Sequence, residues 1–174
     1  LPQWRLRQIR LYALIDTALT DHPVEVTAAV IRGGAGAVQL RAKTLTERAY
    51  RDLAARVRDA CRNGGALFII NDHPAVARIL AADAIHVGQQ DLCVADTRAV
   101  VGPTCAIGVS THHRDQVVQA LADGADYLGL GPMFATATKP HEPERGAGLL
   151  DEVRALLNVP SFAIGGLDRT RIAA

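Results

Sequence analysis

Short apolar runs alternate with longer amphipathic segments along the whole chain, and each repeat predicts a β-strand followed by an α-helix. The predicted strands lie at residues 11–15, 37–40, 67–70, 84–87, 106–109, 127–130 and 161–164. The predicted helices lie at residues 24–32, 46–62, 74–80, 95–100, 114–122 and 149–157, and a further one starts at Asp168. Asp21 and Thr46 are residue types that favour helix N-termini, so we expect them to cap the first two helices.

Seven strand–helix units in one row predict an α/β fold, a (β/α)8 TIM barrel, rather than an open sheet. The units form a single predicted domain over residues 1–174, without a linker or a low-complexity tract. The eighth β-α unit is missing from the sequence. Either a tail beyond Ala174 carries it or the protein lacks it, and composition does not separate these two alternatives.

Composition narrows the class of protein. Apolar residues make up 49% of the 174 positions, enough for a sizeable core, and the net charge of +1 argues against a nucleic-acid surface or a polybasic membrane patch. No apolar run approaches the roughly 20 residues that cross a bilayer, and the first residues do not resemble a signal peptide. We therefore expect a cytoplasmic protein that binds neither nucleic acid nor membrane; a homo-oligomer is left open.

Polar residues cluster just after six of the predicted strands, which is where a parallel α/β barrel carries its chemistry. We therefore expect these clusters to meet in one site. The candidate residues are Gln39, Arg41, Lys43, Asn71, Asp72, Asp91, Ser110, Thr136, Thr138, Lys139, Gly165 and Gly166.

The first clusters suggest an anion and a metal. Strand alternation places Arg41 and Lys43 on one side, where they can contact phosphate oxygens, although ordinary loop cations would show the same pattern. Asp72 and Asp91 follow neighbouring strands and can share one Mg²⁺, a hard ion that prefers oxygen ligands. The alternative is that each aspartate caps the helix after it. His86 lies within a strand and is interpreted as a barrel-lining residue.

The later clusters have two interpretations each. The Ser110 hydroxyl can bond a ring nitrogen of a heterocycle or cap a helix. Thr136, Thr138 and Lys139 can hold an anion, or they belong to a solvated insertion. Gly166 follows the seventh strand, where many barrels bind phosphate, but glycine also serves tight turns. His112 and His113 are interpreted as capping or surface residues.

In this order the clusters resemble the thiamine phosphate synthase family, over residues 10–167. The motifs that carry the resemblance are Val38-Gln39-Leu40-Arg41-Ala42-Lys43, Ile70-Asn71-Asp72, His86-Val87-Gly88-Gln89-Gln90-Asp91, Gly108-Val109-Ser110-Thr111-His112, Asp126-Tyr127-Leu128-Gly129-Leu130-Gly131-Pro132, Thr136-Ala137-Thr138-Lys139 and Ala163-Ile164-Gly165-Gly166. The resemblance implies a Mg²⁺-dependent transferase. It would join 4-amino-5-hydroxymethyl-2-methylpyrimidine diphosphate to a thiazole phosphate, giving thiamine phosphate and pyrophosphate.

The resemblance also implies a role for each residue. The catalytic residues would be Arg41, Lys43 and Lys139. The pyrimidine diphosphate would be held by Gln39, Arg41, Lys43, Asn71, Ser110 and Lys139. The thiazole phosphate would be held by Thr136, Thr138 and Gly166. Asp72 and Asp91 would bind the metal. Family members continue into an eighth strand with a short Val-Ser-type segment, which this sequence lacks.

Two other functions are compatible with the same motifs. A TenI-like thiazole tautomerase has a related barrel and is expected to need no metal and to use a histidine after the sixth strand. Here Pro132 stands near that place, and both Asp72 and Asp91 are present, which favours the synthase. A non-catalytic phosphate-binding regulatory barrel is the third interpretation.

Overall fold

Seven strands alternate with helices in the computed structural model, which describes residues 3–135, 145–168, 170 and 171. The strands are β1 (Tyr12–Asp16), β2 (Ala37–Arg41), β3 (Leu67–Asn71), β4 (Ala84–Val87), β5 (Ala106–Thr111), β6 (Tyr127–Leu130) and β7 (Ser161–Ala163). The helices are α1 (Gln3–Arg7), α2 (Pro23–Arg32), α3 (Glu47–Gly64), α4 (Pro74–Ile79), α5 (Val94–Val101), α6 (Arg114–Ala122) and α7 (Gly146–Val153), which continues into a 3₁₀ turn at Arg154–Leu156.

The strands form one parallel sheet in the order β1 to β7, which confirms the predicted α/β class. The sheet curls as a TIM-like barrel does, but it is not closed. Among the described residues, β1 and β7 are edge strands and do not pair with each other. The described residues therefore contain seven of the eight strands of a barrel.

Alternating side chains divide the core into two layers. Leu67 and Ile69 of β3 point into the curl of the sheet and pack in its interior, whereas Phe68 and Ile70 pack under the helices. All four are at most 1% exposed. Both faces of the sheet are thus buried, which explains why β3 is an unbroken apolar run.

Helix α1 was not predicted, because its few residues carry no periodic pattern. Leu6 is 1% exposed and joins the interior layer, with Ile9 packed beside it. On the same interior side, the ring of Tyr12 on β1 meets the ring of Phe162 on β7 edge-on, with centroids 5.1 Å apart. The two edge strands are therefore linked through side chains rather than by a ladder.

Helix starts follow the prediction in one case and not in two others. Thr46 caps α3, where its hydroxyl accepts a hydrogen bond from the backbone N–H of Ala49. Asp21 does not cap α2; His22 occupies that position and makes no side-chain cap bond. Asp168 accepts backbone bonds in a turn, and no helix follows it in the described residues. No described helix has the length and hydropathy to cross a bilayer.

Candidate active site

A cavity of about 300 Å³ opens at the carboxyl ends of the strands. Its walls come from inward positions of β1 to β6 and from the segment after β7. The predicted residues that line it are Gln39, Arg41, Asn71, Ser110, Gly165 and Gly166. Distant parts of the sequence meet here because parallel strands all end at the same edge of the sheet.

Five polar side chains form a continuous hydrogen-bonded row across the bottom of this cavity, which we call the floor chain. Nε2 of Gln39 lies 2.5 Å from the Tyr12 hydroxyl, which lies 3.3 Å from the Tyr127 hydroxyl. The Tyr127 hydroxyl lies 3.2 Å from Nδ1 of His86, and Nε2 of His86 lies 2.9 Å from the Ser110 hydroxyl. The floor chain thus connects two predicted ligand-binding residues, Gln39 and Ser110.

The floor chain is only partly visible in the sequence. His86 lines the interior, as expected. The helix-cap interpretation of Ser110 is wrong, because His113 is the N-cap of α6 and Ser110 lies within β5. Tyr12 and Tyr127 were missed. Their only signal is that each holds an inward position among apolar neighbours, and a large aromatic residue there suggests simple packing.

A buried carboxylate holds Arg41 in place. Nη1 of Arg41 lies 2.5 Å from Oδ2 of Asp16, and Oδ1 of Asp16 accepts a bond from the backbone N–H of Ala18. Asp16 is 4% exposed, so it is fixed at the end of β1. Sequence reasoning missed it, although an aspartate directly after a predicted strand is the same signal that marked Asp72.

Two further carboxylates lie beside a lysine. Lys43 Nζ contacts the Asp72 carboxylate, and Asp72 interacts in turn with Asp91. Burial raises the pKa of Asp72; Lys43 lowers it and Asp91 raises it again, and the net direction is upward. Together with the Arg41–Asp16 pair, these three residues form what we call the charged rim.

The helix-cap interpretation of the aspartates is wrong. His73 is the N-cap of α4 and Cys93 is the N-cap of α5. Oδ2 of Asp91 instead accepts a bond of 2.7 Å from the backbone N–H of Gly88. Asp72 has a φ of 60°, a left-handed conformation that costs a non-glycine residue about 1–2 kcal/mol. Such conformations concentrate at functional sites.

The paired carboxylates are chemically suited to a divalent cation. Mg²⁺ prefers carboxylate oxygens and keeps several coordination positions for water and phosphate, so two aspartates are a sufficient protein contribution. Asp91 lies close enough to Asp72 to disfavour the charge of Asp72, a cost that a cation between them would remove. In the described residues, no group of three or more acidic, histidine or cysteine side chains is placed to hold a metal ion by itself.

The turn after β7 requires glycine. Gly165 and Gly166 have φ values of 94° and 65°, and a Cβ atom on Gly166 would lie 2.6 Å from the Ala135 carbonyl oxygen. The tight-turn interpretation is therefore confirmed, and the same turn forms one wall of the cavity. Thr136, Thr138 and Lys139 lie outside the described residues.

His112 has a different place from the one predicted. Rather than a surface or capping residue, it lines the cavity, with Nδ1 2.5 Å from the Gly131 carbonyl oxygen. His113 does occupy the N-cap of α6, without a side-chain bond.

Comparison with known proteins identifies the family. The family model described as thiamine monophosphate synthase matches residues 11–174. The chain belongs to this family. A thiamine-phosphate synthase from Laribacter hongkongensis is 44% identical over 161 residues, covering 90% of this chain and 76% of that protein. A solved thiamine phosphate pyrophosphorylase from Pyrococcus furiosus superposes with a TM-score of 0.87 at 29% identity, covering 96% of this chain and 79% of that one.

Some relatives in the thiamine monophosphate synthase family are much longer. A thiamine-phosphate synthase from Gloeobacter violaceus is 42% identical over 172 residues, which cover 98% of this chain but 49% of that protein. The chain thus spans about half the length of that relative.

Proposed function

We propose that the protein is a thiamine phosphate synthase. It transfers the pyrimidine group of 4-amino-5-hydroxymethyl-2-methylpyrimidine diphosphate to the nitrogen of a thiazole phosphate and releases pyrophosphate. The identity with synthases from other organisms supports this class of reaction.

The observation that carries the proposal is the adjacency of two different surfaces. The cavity wall offers neutral hydrogen-bonding groups from Gln39, Asn71 and Ser110, which suit a polar heterocycle. The charged rim continues from the same strands, since Asp72 directly follows Asn71 and Lys43 lies two residues beyond Arg41. A heterocycle that carries a diphosphate has matching parts: a neutral ring and a highly charged tail.

The main chemical requirement of the reaction is the departure of the charged diphosphate. The bond between the exocyclic carbon and the diphosphate oxygen breaks, and its electron pair leaves with pyrophosphate. The aminopyrimidine ring stabilises the resulting cation, and the lone pair of the thiazole nitrogen forms the new carbon–nitrogen bond. No covalent attachment to the protein is needed.

Arg41, Lys43 and Lys139 stabilise the charge that develops on the leaving group. Asp16 keeps the Arg41 guanidinium oriented while it does so. Asp72 and Asp91 would hold Mg²⁺, which would supply further positive charge to the leaving group. Thr136, Thr138 and the Gly166 turn anchor the thiazole phosphate, which holds the thiazole nitrogen in line with the reacting carbon.

The test is to mix the two substrates with the purified protein and follow pyrophosphate and thiamine phosphate. We expect both products in equal amounts with Mg²⁺ and neither after chelation. Isomerisation of a thiazole substrate without metal would instead indicate the tautomerase, and binding without turnover would indicate the regulatory protein. Either result would contradict the proposal.

A further inference from the structure

We propose that Tyr127, acting through His86 and supported by Tyr12, is a positioning residue that turns the Ser110 hydroxyl proton towards the cavity. Ser110 then recognises the pyrimidine as a hydrogen-bond donor to a ring nitrogen. The inference deepens the proposed function and rests on it for the identity of the ligand.

The direction of the protons follows from the order of the partners in the floor chain. The Gln39 amide nitrogen can only donate, so the Tyr12 oxygen accepts from it. Tyr12 therefore directs its own proton to the other oxygen it contacts, that of Tyr127. Tyr127 then donates onward to His86, because Nδ1 at 3.2 Å is a nearer acceptor than the Ile85 carbonyl oxygen at 3.5 Å.

The tautomer of His86 determines whether its Nε2 donates a hydrogen bond to Ser110. With Nδ1 accepting from Tyr127, a neutral imidazole carries its proton on Nε2. Nε2 then donates to the Ser110 oxygen, 2.9 Å away. The proton of the Ser110 hydroxyl is left for a partner in the cavity that this residue lines.

Burial keeps the two tyrosines of the floor chain neutral. It raises the pKa of both Tyr12 and Tyr127 above the ordinary value for a phenol, so each hydroxyl has one proton to direct. The amide nitrogen at the Gln39 end directs the Tyr12 proton to Tyr127. Donation from Tyr127 to Nδ1 of His86, rather than to the more distant Ile85 carbonyl oxygen, then gives the direction that ends with donation by Ser110.

Neighbouring residues leave room for this arrangement. A Cβ atom on Gly108 would lie 2.0 Å from the Tyr127 ring, and one on Gly129 would lie 3.1 Å from Cε1 of His86. The sheet therefore admits the tyrosine ring only because Gly108 lacks a side chain, and a side chain at Gly129 would crowd the histidine ring. The strands next to these two rings carry glycine at the positions that face them.

The first test determines which ring nitrogen of His86 carries the proton, and it does not depend on turnover. Nitrogen-15 NMR of the full chain, with the His86 signals assigned by comparison with His86→Gln, distinguishes a proton on Nε2 from one on Nδ1. We expect the proton on Nε2. In Tyr127→Phe, which keeps the ring and removes the donor, we expect that preference to be lost. A proton on Nδ1 in the unaltered protein would reverse the chain and overturn the inference.

The second test measures how strongly the protein distinguishes a ring nitrogen of the ligand from CH. The probes are 4-amino-5-hydroxymethyl-2-methylpyrimidine, which has no leaving group, and its two pyridine analogues, in which one ring nitrogen is replaced by CH. Calorimetry should show that one analogue binds about tenfold more weakly than the pyrimidine, as loss of one hydrogen bond predicts. Tyr127→Phe and Ser110→Ala should each remove most of that tenfold difference.

Tyr50→Phe is the matched control. Tyr50 is a buried tyrosine whose hydroxyl contacts the Leu40 and Asn71 carbonyl oxygens outside the floor chain. It should keep both the Nε2 proton of His86 and the discrimination between ring nitrogen and CH. Full discrimination in Tyr127→Phe would contradict the positioning role alone, whereas absence of pyrimidine binding by the unaltered protein would contradict the proposed function as well.

Discussion

The charged rim and the floor chain border the same cavity, but the rim consists of ion pairs and the floor chain of hydrogen-bonded polar side chains. The floor chain contains no Asp, Glu, Lys or Arg, and each member meets a hydrogen-bonding partner within 3.3 Å. In the described part of the rim, the two cations Arg41 and Lys43 face three carboxylates, a net charge of −1. One of those carboxyls, Asp72, has a pKa raised by burial and by Asp91.

The difference indicates which region changes when a ligand binds. A satisfied polar network is rigid and selects a ligand by its pattern of donors and acceptors. The described rim has an excess of carboxylate, so under the proposed function a divalent cation and Lys139 would supply the positive charge that a diphosphate requires. The rim should therefore govern rate, and the floor chain should govern fit.

The largest expected effect is on the rim. Asp72→Asn should lower turnover by about 100- to 1,000-fold, the loss typical when one stabilising electrostatic contact is removed. Asparagine tolerates the left-handed backbone at this position and removes only the charge. Steady-state pyrophosphate release at saturating substrate is the measurement.

The same variant should not lose stability. A carboxyl whose pKa is higher in the folded than in the unfolded protein destabilises the fold as the pH rises through that range, so its removal is neutral or stabilising at pH 7. Urea unfolding checks this. A large loss of stability would show that Asp72 has a structural role, and turnover equal to that of Asp59→Asn on the exposed face of α3 would show that Asp72 has no role in the reaction.

The next effect tests the floor chain. Gly108→Ala places a Cβ atom 2.0 Å from the Tyr127 ring, an overlap that forces the ring or the strand to move. We expect the free energy of unfolding to fall by about 1–3 kcal/mol, as in overpacked cores, with weaker pyrimidine binding.

Gly148→Ala is the control for this glycine substitution. Gly148 lies inside α7, and a Cβ atom added there would have no neighbouring atom of the described residues within 4 Å. Alanine should therefore raise stability by about 0.5–1 kcal/mol through helix propensity. Chemical denaturation of both variants gives the comparison. Equal unfolding midpoints for the two would show that the space around Tyr127 is not constrained.

Sequence reasoning found the rim more completely than the floor chain for a physical reason. A charged residue directly after an apolar strand is visible in the sequence, so Arg41, Lys43 and Asp72 were identified. Tyr12 and Tyr127 combine an apolar ring with one hydroxyl, and nothing in the sequence shows that the two hydroxyls meet across strands β1 and β6. Their role depends on register and curvature, which a single sequence does not display.

The elements of the fold also differ in how far the sequence predicts them. Strand order follows from the alternation of elements, and β4, β6 and α6 have the predicted bounds. Helix α1 has too few residues to show a period, and its contribution is the insertion of Leu6 into the interior layer. Closure also could not be read from the pattern, because it depends on whether the edge strands pair.

A smaller effect should come from the partner of Arg41. Asp16→Asn keeps an acceptor but removes the charge that fixes the guanidinium, so kcat/KM for the pyrimidine diphosphate should fall by about tenfold. Steady-state kinetics with the pyrimidine diphosphate varied give this value. Asp59→Asn, which alters a solvent-exposed pair with Arg58, should have no effect. An equal response in both variants would mean that the Arg41–Asp16 pair does not position the guanidinium.

The smallest effect separates the two regions without any substitution. Raising the salt concentration from about 0.05 M to about 0.5 M shortens the distance over which charges interact, from more than about 10 Å to less than about 5 Å. The diphosphate, held by the rim, should bind a few-fold more weakly, whereas the uncharged pyrimidine alcohol, held by the floor chain, should bind unchanged. Calorimetry of both ligands at both salt concentrations is the measurement. Parallel weakening of the two would mean that the ring and its charged tail are not recognised by separate parts of the cavity.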